Sequence, residues 1–241
     1  MKEKLYEIPV NDAFSEDCEC PICAIYNKLE SESVDYSMGP SYMEDDIRMK
    51  TDEMGFCNKH MKMVYDKENR LGMALIFSTH MTKINKEMNE IIDKGGSKPQ
   101  TKSTLFKKAD PNTIDIVRYI DELENRCFIC DRIKNFYDRY IQTIFYLYKT
   151  SDSFKQTYRK TKGFCLDHYK LLISEANRSL SGSVLDEFLE TTNKLFTDNM
   201  QRVYEDIDWF IKKFDYKYQN EPWKNSKDSV ARAMIKLNGN K

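Results

Sequence analysis

Six of the seven cysteines and two of the three histidines form two ordered sets with nearly the same spacing. In each set a Cys-x-x-Cys pair is followed, after 33 or 34 intervening residues, by the cysteine of a Gly-Phe-Cys-x-x-His segment. The first set is Cys20, Cys23, Cys57 and His60, and the second set is Cys127, Cys130, Cys165 and His168. The sets are offset by 107 to 108 positions, which indicates an internal repeat.

Three thiolates and one imidazole are the donors that a tetrahedral metal ion takes in closed structural sites. A Cys-x-x-Cys pair supplies two sulfurs from one tight turn. A cysteine and a histidine three positions apart lie on the same face of a helix, and the helix N-terminus favours the thiolate form. The spacing therefore predicts two Cys3His sites, each built from the four residues of one set.

The donors favour zinc, one Zn²⁺ ion in each site, because four protein ligands leave no open position. An iron–sulfur cluster with one histidine ligand is the alternative, since such clusters also accept this ligand set. Two residues stand outside the pattern. Cys18 is interpreted as a bystander beside the first pair, and His80 as an ordinary core or surface histidine.

Helices are the elements that must position these ligands. Apolar residues recur at spacings of three and four over 77–91, on a helix predicted to begin near Cys57, and again over 133–148. The longest predicted helix covers 184–220, which contains no Gly or Pro, with Ser183 as its cap. A short final helix is predicted over 226–237, after a turn in which Trp223 folds back onto the core. Period-two alternation of useful length is absent, so the predicted fold is all-α.

The repeat and the composition together predict two helical halves. Residues 1–94 form the first Cys3His unit, and residues 113–241 form the second, which carries the long helix and the tail. Residues 95–112 contain glycines, prolines and scattered lysines, which are typical of a mobile linker.

The charge balance and the hydropathy of the chain exclude several classes of protein. The chain of 241 residues carries 38 basic and 39 acidic residues, for a net charge of −1, so it lacks the basic excess of a general nucleic-acid binder. The longest apolar stretches, 71–77 and 141–148, are too short to cross a bilayer, and residues 1–10 lack the features of a signal peptide. We expect a cytoplasmic protein without a membrane partner, where a reducing environment favours metal binding over disulfides.

The paired Cys-x-x-Cys and Gly-Phe-Cys-x-x-His motifs, with the segments 46–55, 70–75 and 221–228, resemble a bacterial family of unknown function, domain of unknown function 6062. The family is seen in clostridia and related anaerobes, and the resemblance spans nearly the whole chain. It implies a cytoplasmic protein with metal-binding cysteines and no assigned activity.

The function favoured by these observations is a non-enzymatic, metal-stabilised interaction or regulatory module, whose partner is another protein or a second copy of the chain. The alternative is a redox protein that uses iron–sulfur clusters, or thiols that release zinc when oxidised. A hydrolytic metalloenzyme is disfavoured because a catalytic zinc keeps an open position and no His-Glu-x-x-His motif occurs.

Overall fold

The computed structural model describes residues 4–99 and 111–239. In these two stretches the chain forms eleven α-helices and no β-strand, so the all-α prediction is confirmed. The helices are α1 (Lys4–Ser15), α2 (Pro21–Met38), α3 (Asp45–Met54), α4 (Asn58–Asp66), α5 (Arg70–Asp93), α6 (Asp115–Glu124), α7 (Phe128–Thr150), α8 (Asp152–Lys160), α9 (Leu166–Ser179), α10 (Gly182–Lys212) and α11 (Ser229–Asn238). None of the described helices is both long enough and apolar enough to span a bilayer.

The chain divides into two compact units. Unit 1 contains residues 1–29 and 136–241, and unit 2 contains residues 30–135. The division falls within α2 and α7, each of which contributes residues to both units. It therefore lies at different places from the predicted boundaries at 94 and 113. Most of the predicted linker, 100–110, lies outside the described residues, and the structural equivalence of the two halves stays a prediction.

The core of unit 1 is aromatic. Tyr158 is fully buried and lies against five other rings, with centroid distances of 5.6 Å to Phe14 and 5.5 Å to Phe188. Its hydroxyl is 2.8 Å from the hydroxyl of Thr192, so this buried polar atom has a hydrogen-bond partner. Fully burying a ring of this size contributes about 1.5–3 kcal/mol, so the cluster stabilises the unit independently of any metal site.

Unit 2 is built on the packing of α3 and α5, with Ile47, Met73 and Ile76 buried between its helices. The predicted continuous helix from Cys57 is wrong, because it is divided into α4 and α5. Asn69 separates them: its side chain accepts a hydrogen bond from the backbone N–H of Gly72 and donates one to the carbonyl of Met38. These capping bonds favour a new helix start over continuation of α4.

The longest helix is α10, which begins at Gly182 and ends at Lys212, eight residues before the predicted end at 220. The buried side chain of Lys213 explains the early end, because its ammonium donates to the carbonyls of Tyr218, Gln219 and Glu221 as the chain turns. The predicted final helix is present as α11 but begins at Ser229 rather than 226.

Trp223 folds back as predicted, although it contacts the end of α10 rather than the buried core. Its ring lies 5.9 Å from Phe210 and 6.5 Å from Phe214, and the Phe214 side chain is itself exposed.

Candidate metal centres

Each of the four motifs lies at the start of a helix. Cys57 and Cys165 are the N-cap residues of α4 and α9, with nearly identical backbone angles (φ −69°, ψ 165° and φ −73°, ψ 166°). The histidine follows in the first turn of each helix. The Cys-x-x-Cys pairs have the same placement, because their first cysteine directly precedes α2 or α7 and their second lies in the first turn. Each helix start therefore presents two ligands from one end, where the helix dipole favours a thiolate.

The glycine of each Gly-Phe-Cys segment is required by the backbone and by its close neighbours. Gly55 and Gly163 have φ values of 58° and 77°, in the left-handed region that favours glycine. A Cβ atom on Gly163 would lie 2.7 Å from the carbonyl oxygen of Leu195. The next residue is a buried phenylalanine in both segments, so the tripeptide turns and anchors the chain immediately before the ligand cysteine.

The structure brings all eight predicted ligands together in two groups of four. Each group, however, contains two ligands from each sequence set. The within-half assignment of ligands is wrong. Each Cys-x-x-Cys pair faces the Cys-x-x-His pair of the other set. Centre 1 is formed by Cys20, Cys23, Cys165 and His168, and centre 2 by Cys57, His60, Cys127 and Cys130. The reason is the tertiary fold: the start of α2 packs with residues after 136 to form unit 1, and the chain between them folds as unit 2.

Centre 1 is compact and fully buried. The Nδ1 atom of His168 lies 3.2 Å from Sγ of Cys20, 3.3 Å from Sγ of Cys23 and 3.2 Å from Sγ of Cys165. The sulfurs of Cys23 and Cys165, which are 142 positions apart in the sequence, are separated by 3.8 Å. Centre 1 belongs entirely to unit 1.

Centre 2 repeats this geometry within unit 2 but is open on one side. The Nδ1 atom of His60 lies 3.3 Å from Sγ of Cys57, 3.4 Å from Sγ of Cys127 and 3.3 Å from Sγ of Cys130. The sulfurs of Cys57 and Cys130 are 3.9 Å apart. His60 and Cys127 are buried, whereas Cys57 is half-buried and Cys130 is exposed.

Burial and close neighbours shift the pKa values of cysteine thiols in both groups. In centre 1, burial and the neighbouring thiols raise the pKa of Cys20, while hydrogen bonds from Cys20 and Cys23 lower the pKa of the Cys165 thiol. In centre 2, burial raises the pKa of Cys127, and burial with the nearby Cys127 raises the pKa of Cys130. Negative charge on neighbouring sulfurs is mutually unfavourable, and a bound cation would offset that repulsion. Each group of four converging donor atoms could bind one metal ion.

The sequence pattern that defines a family of unknown function, DUF6062, matches residues 1–241. The chain belongs to this family. The resemblance inferred from the sequence is thus confirmed at the level of the family. No curated protein and no solved structure matches the chain.

In this DUF6062 chain, a buried carboxylate supports centre 2. Glu30 Oε1 accepts a hydrogen bond of 3.0 Å from Nε2 of His60 and forms an ion pair of 2.7 Å with Lys59. A carboxylate on the far nitrogen fixes the tautomer in which Nδ1 faces the sulfurs, and it makes the imidazole a stronger donor to a metal. The sequence does not reveal this role of Glu30, because nothing in it distinguishes Glu30 from the neighbouring exposed Glu32.

Centre 1 is supported differently, by the C-terminal helix. The buried ammonium of Lys236 donates to the carbonyl oxygens of Glu19 and Lys162 and lies 3.1 Å from the Glu19 carboxylate. Gly239, which follows α11, lies close to the centre, because a Cβ atom there would be 3.5 Å from Sγ of Cys165. Nε2 of His168 is buried without a hydrogen-bond partner among the described residues, so its ring is oriented by packing, including against Tyr137.

The two residues outside the sequence pattern also lie outside both groups. Cys18 is half-buried and belongs to neither set of four. His80 lies on α5, and not on the helix of His60, with its Nδ1 atom 2.7 Å from the backbone carbonyl of Asp52. Its ring also lies beside Gly55, where a Cβ atom would approach within 2.5 Å. Its contacts place His80 in the packing of unit 2.

Replacing Glu30 by glutamine is expected to weaken metal binding at centre 2 by about 10-fold to 100-fold, because the charge that strengthens His60 is lost. Competition against a chelating dye of known affinity measures the change. The matched control is Glu32→Gln, an exposed carboxylate two residues along α2. Equal affinities in the two variants would show that Glu30 does not support the centre.

Proposed function

We propose that the chain is a zinc protein in which two Cys3His centres each bind one ion and stabilise the fold, and that it acts as a non-enzymatic interaction or regulatory module. The observation that carries this proposal is the convergence of four ligand atoms in each centre, all within 4.8 Å of one another. Four protein ligands complete a tetrahedron, which is typical of structural rather than catalytic zinc.

The spacing of the ligands supports a single ion in each centre. A tetrahedral zinc ion with Zn–S bonds of about 2.3 Å and Zn–N bonds of about 2.0 Å spaces two sulfurs about 3.8 Å apart and a sulfur and a nitrogen about 3.5 Å apart. The S–S distances in the two centres are 3.8 Å and 3.9 Å. The S–N distances are slightly shorter, between 3.2 Å and 3.4 Å. The residues therefore fit the ion.

The same spacing disfavours the iron–sulfur alternative. In a cluster the protein ligands bind different iron atoms, with bridging sulfides between the metals, so the ligand atoms must surround a larger object. Four donors within 4.8 Å of one another are more closely spaced than this arrangement needs, which favours a single ion.

An interaction role is supported by apolar side chains that unit 1 exposes near the end of α10. The exposed fractions are 63% for Ile211, 75% for Phe214 and 80% for Tyr216. Grouped exposed hydrophobic residues are typical of surfaces that bind another protein. We propose a protein partner or a second copy of this chain, and no nucleic acid.

Protein purified without chelator is expected to be colourless and to contain two zinc ions per chain, measured by elemental analysis and native mass spectrometry. The Cys18→Ser variant is the matched control and should also contain two, because Cys18 lies outside both centres. A brown protein that contains iron and sulfide, or a chain with fewer than two metal ions, would contradict the proposal.

A further inference from the structure

The two centres differ sharply in their access to solvent. In centre 1 the exposed fractions are 2% for Cys20, 3% for Cys23, 0% for Cys165 and 1% for His168. In centre 2, Cys130 is exposed and Cys57 is half-buried, although the donor types are the same and the distances nearly so. Because reaction of a metal-bound thiolate with a solute requires contact with its sulfur, the difference in exposure separates two chemically similar sites.

The last described helix, α11, and the glycine that follows it cover part of centre 1. Lys236 fixes this helix through hydrogen bonds to the carbonyls of Glu19 and Lys162, which directly precede the Cys-x-x-Cys and Gly-Phe-Cys segments of centre 1. Gly239 then lies against Cys23 and Cys165, where a Cβ atom would be 3.6 Å and 3.5 Å from the two sulfurs. These contacts contribute to the burial of the centre 1 ligands, whose sulfurs are closed to solutes in the folded chain.

From this asymmetry we propose that centre 2 is a site of thiol oxidation, at which a hydroperoxide converts Cys57 and Cys130 into a disulfide and releases the metal ion while centre 1 keeps its ion. The inference rests on the proposed function, because it requires a zinc ion in each centre. It adds a chemical regulation that acts at one of them, with hydrogen peroxide as the simplest oxidant of the class.

The reaction proceeds in two displacements. The exposed Cys130 thiolate attacks one peroxide oxygen and breaks the O–O bond, which gives a sulfenic acid and a hydroxide that is protonated to water. The Cys57 thiolate then attacks the sulfur of Cys130, forms the S–S bond and expels a second hydroxide, which is also protonated. Two thiolates thus lose two electrons, hydrogen peroxide gains them, and two protons from solvent complete two waters. With Cys57 and Cys130 joined, only His60 and Cys127 would remain as donors in centre 2, too few to hold a metal ion tightly.

Geometry selects Cys57 as the second thiolate. Its sulfur lies 3.9 Å from that of Cys130, and an S–S bond of about 2.05 Å requires the two helix starts to approach modestly. Cys127 is buried, and its sulfur already accepts a 3.4 Å hydrogen bond from the backbone N–H of Cys130. The pair with access to solvent is therefore Cys57 and Cys130.

The test treats the full chain, first shown to contain two zinc ions, with excess hydrogen peroxide and follows zinc release with a chromogenic dye. We expect one equivalent to leave at least about tenfold faster than the second, since oxidation follows exposure. Peptide mapping by mass spectrometry is expected to find a disulfide between Cys57 and Cys130. Release of both ions at one rate, release of neither, or a disulfide between other cysteines would overturn the inference.

A pair of variants tests the same point without relying on the wild-type kinetics alone. Cys130→His keeps four ligands but removes the exposed sulfur, and the fast phase of release is expected to disappear. Cys23→His makes the same exchange in centre 1 and is expected to retain the fast phase. A fast phase that persists in Cys130→His overturns the inference. If Cys130→His fails to bind two ions, the wild-type mapping alone decides. Absence of zinc from the untreated chain would instead refute the proposed function.

Discussion

Removal of both metal ions is expected to lower the midpoint of thermal unfolding steeply and to reduce the helical signal in circular dichroism. Each centre joins helix starts that are far apart in sequence, 142 positions between Cys23 and Cys165 and 67 between His60 and Cys127. Closing such loops has an entropic cost of a few kcal/mol. A structural zinc site contributes on the order of 10 kcal/mol, which is comparable to the whole stability of a typical domain.

The loss of structure should be unequal between the units. Unit 1 retains an aromatic cluster around Tyr158 and Phe188 that buries large rings independently of the metal. Unit 2 has smaller buried side chains, such as Ile47 and Ile76, and is expected to lose more of its helices. Melting curves before and after strong chelation measure both effects, and re-addition of zinc provides the control. A chelated chain with its original helicity and melting midpoint would show that the ions do not stabilise the fold.

Pairs of cysteine substitutions are expected to reveal the exchanged ligand assignment through metal content. Cys20→Ser combined with Cys165→Ser removes two ligands from centre 1 only, so the chain should retain one zinc ion. Cys20→Ser combined with Cys57→Ser removes one ligand from each centre, so the chain should retain none. A tetrahedral site that loses one of four ligands binds zinc much more weakly, which makes the difference one whole equivalent.

The within-half assignment predicts the opposite result for the same two variants, one ion for the Cys20 and Cys57 pair and none for the Cys20 and Cys165 pair. Native mass spectrometry of both proteins decides between the assignments. The single variants Cys20→Ser and Cys57→Ser serve as controls, and each should retain one ion.

Local sequence was sufficient to identify the eight candidate ligands. The geometry of each motif is decided within four residues: an extended residue at the helix cap, then a ligand in the first turn. The backbone angles of Cys57 and Cys165 agree within a few degrees although the segments lie in different units. The all-α class was predictable for the same reason, because the three-and-four spacing of apolar residues reports a local helix.

Helix ends were less predictable from the sequence, because hydrogen bonds between side chains and the backbone of other segments determine them. The break between α4 and α5 depends on Asn69, which bonds both to its own helix and to Met38, 31 positions away. The end of α10 depends on the hydrogen bonds that Lys213 donates to three backbone carbonyls of the following turn. Neither helix propensity nor the spacing of apolar residues reports these contacts of Asn69 and Lys213.

Which candidate ligands meet in one centre was decided only by the tertiary structure. The repeat suggested that each half closes on itself, yet Cys20 and Cys23 meet Cys165 and His168 because residues 1–29 pack with residues after 136. The same is true of the groups that support the centres: Glu30 beside His60, and Lys236 beside Glu19, become recognisable only once burial places them. The type of donor is a property of single residues and short spacings. The pairing and the exposure of the ligands depend instead on core packing, which brings together the N-termini of helices that are distant in sequence.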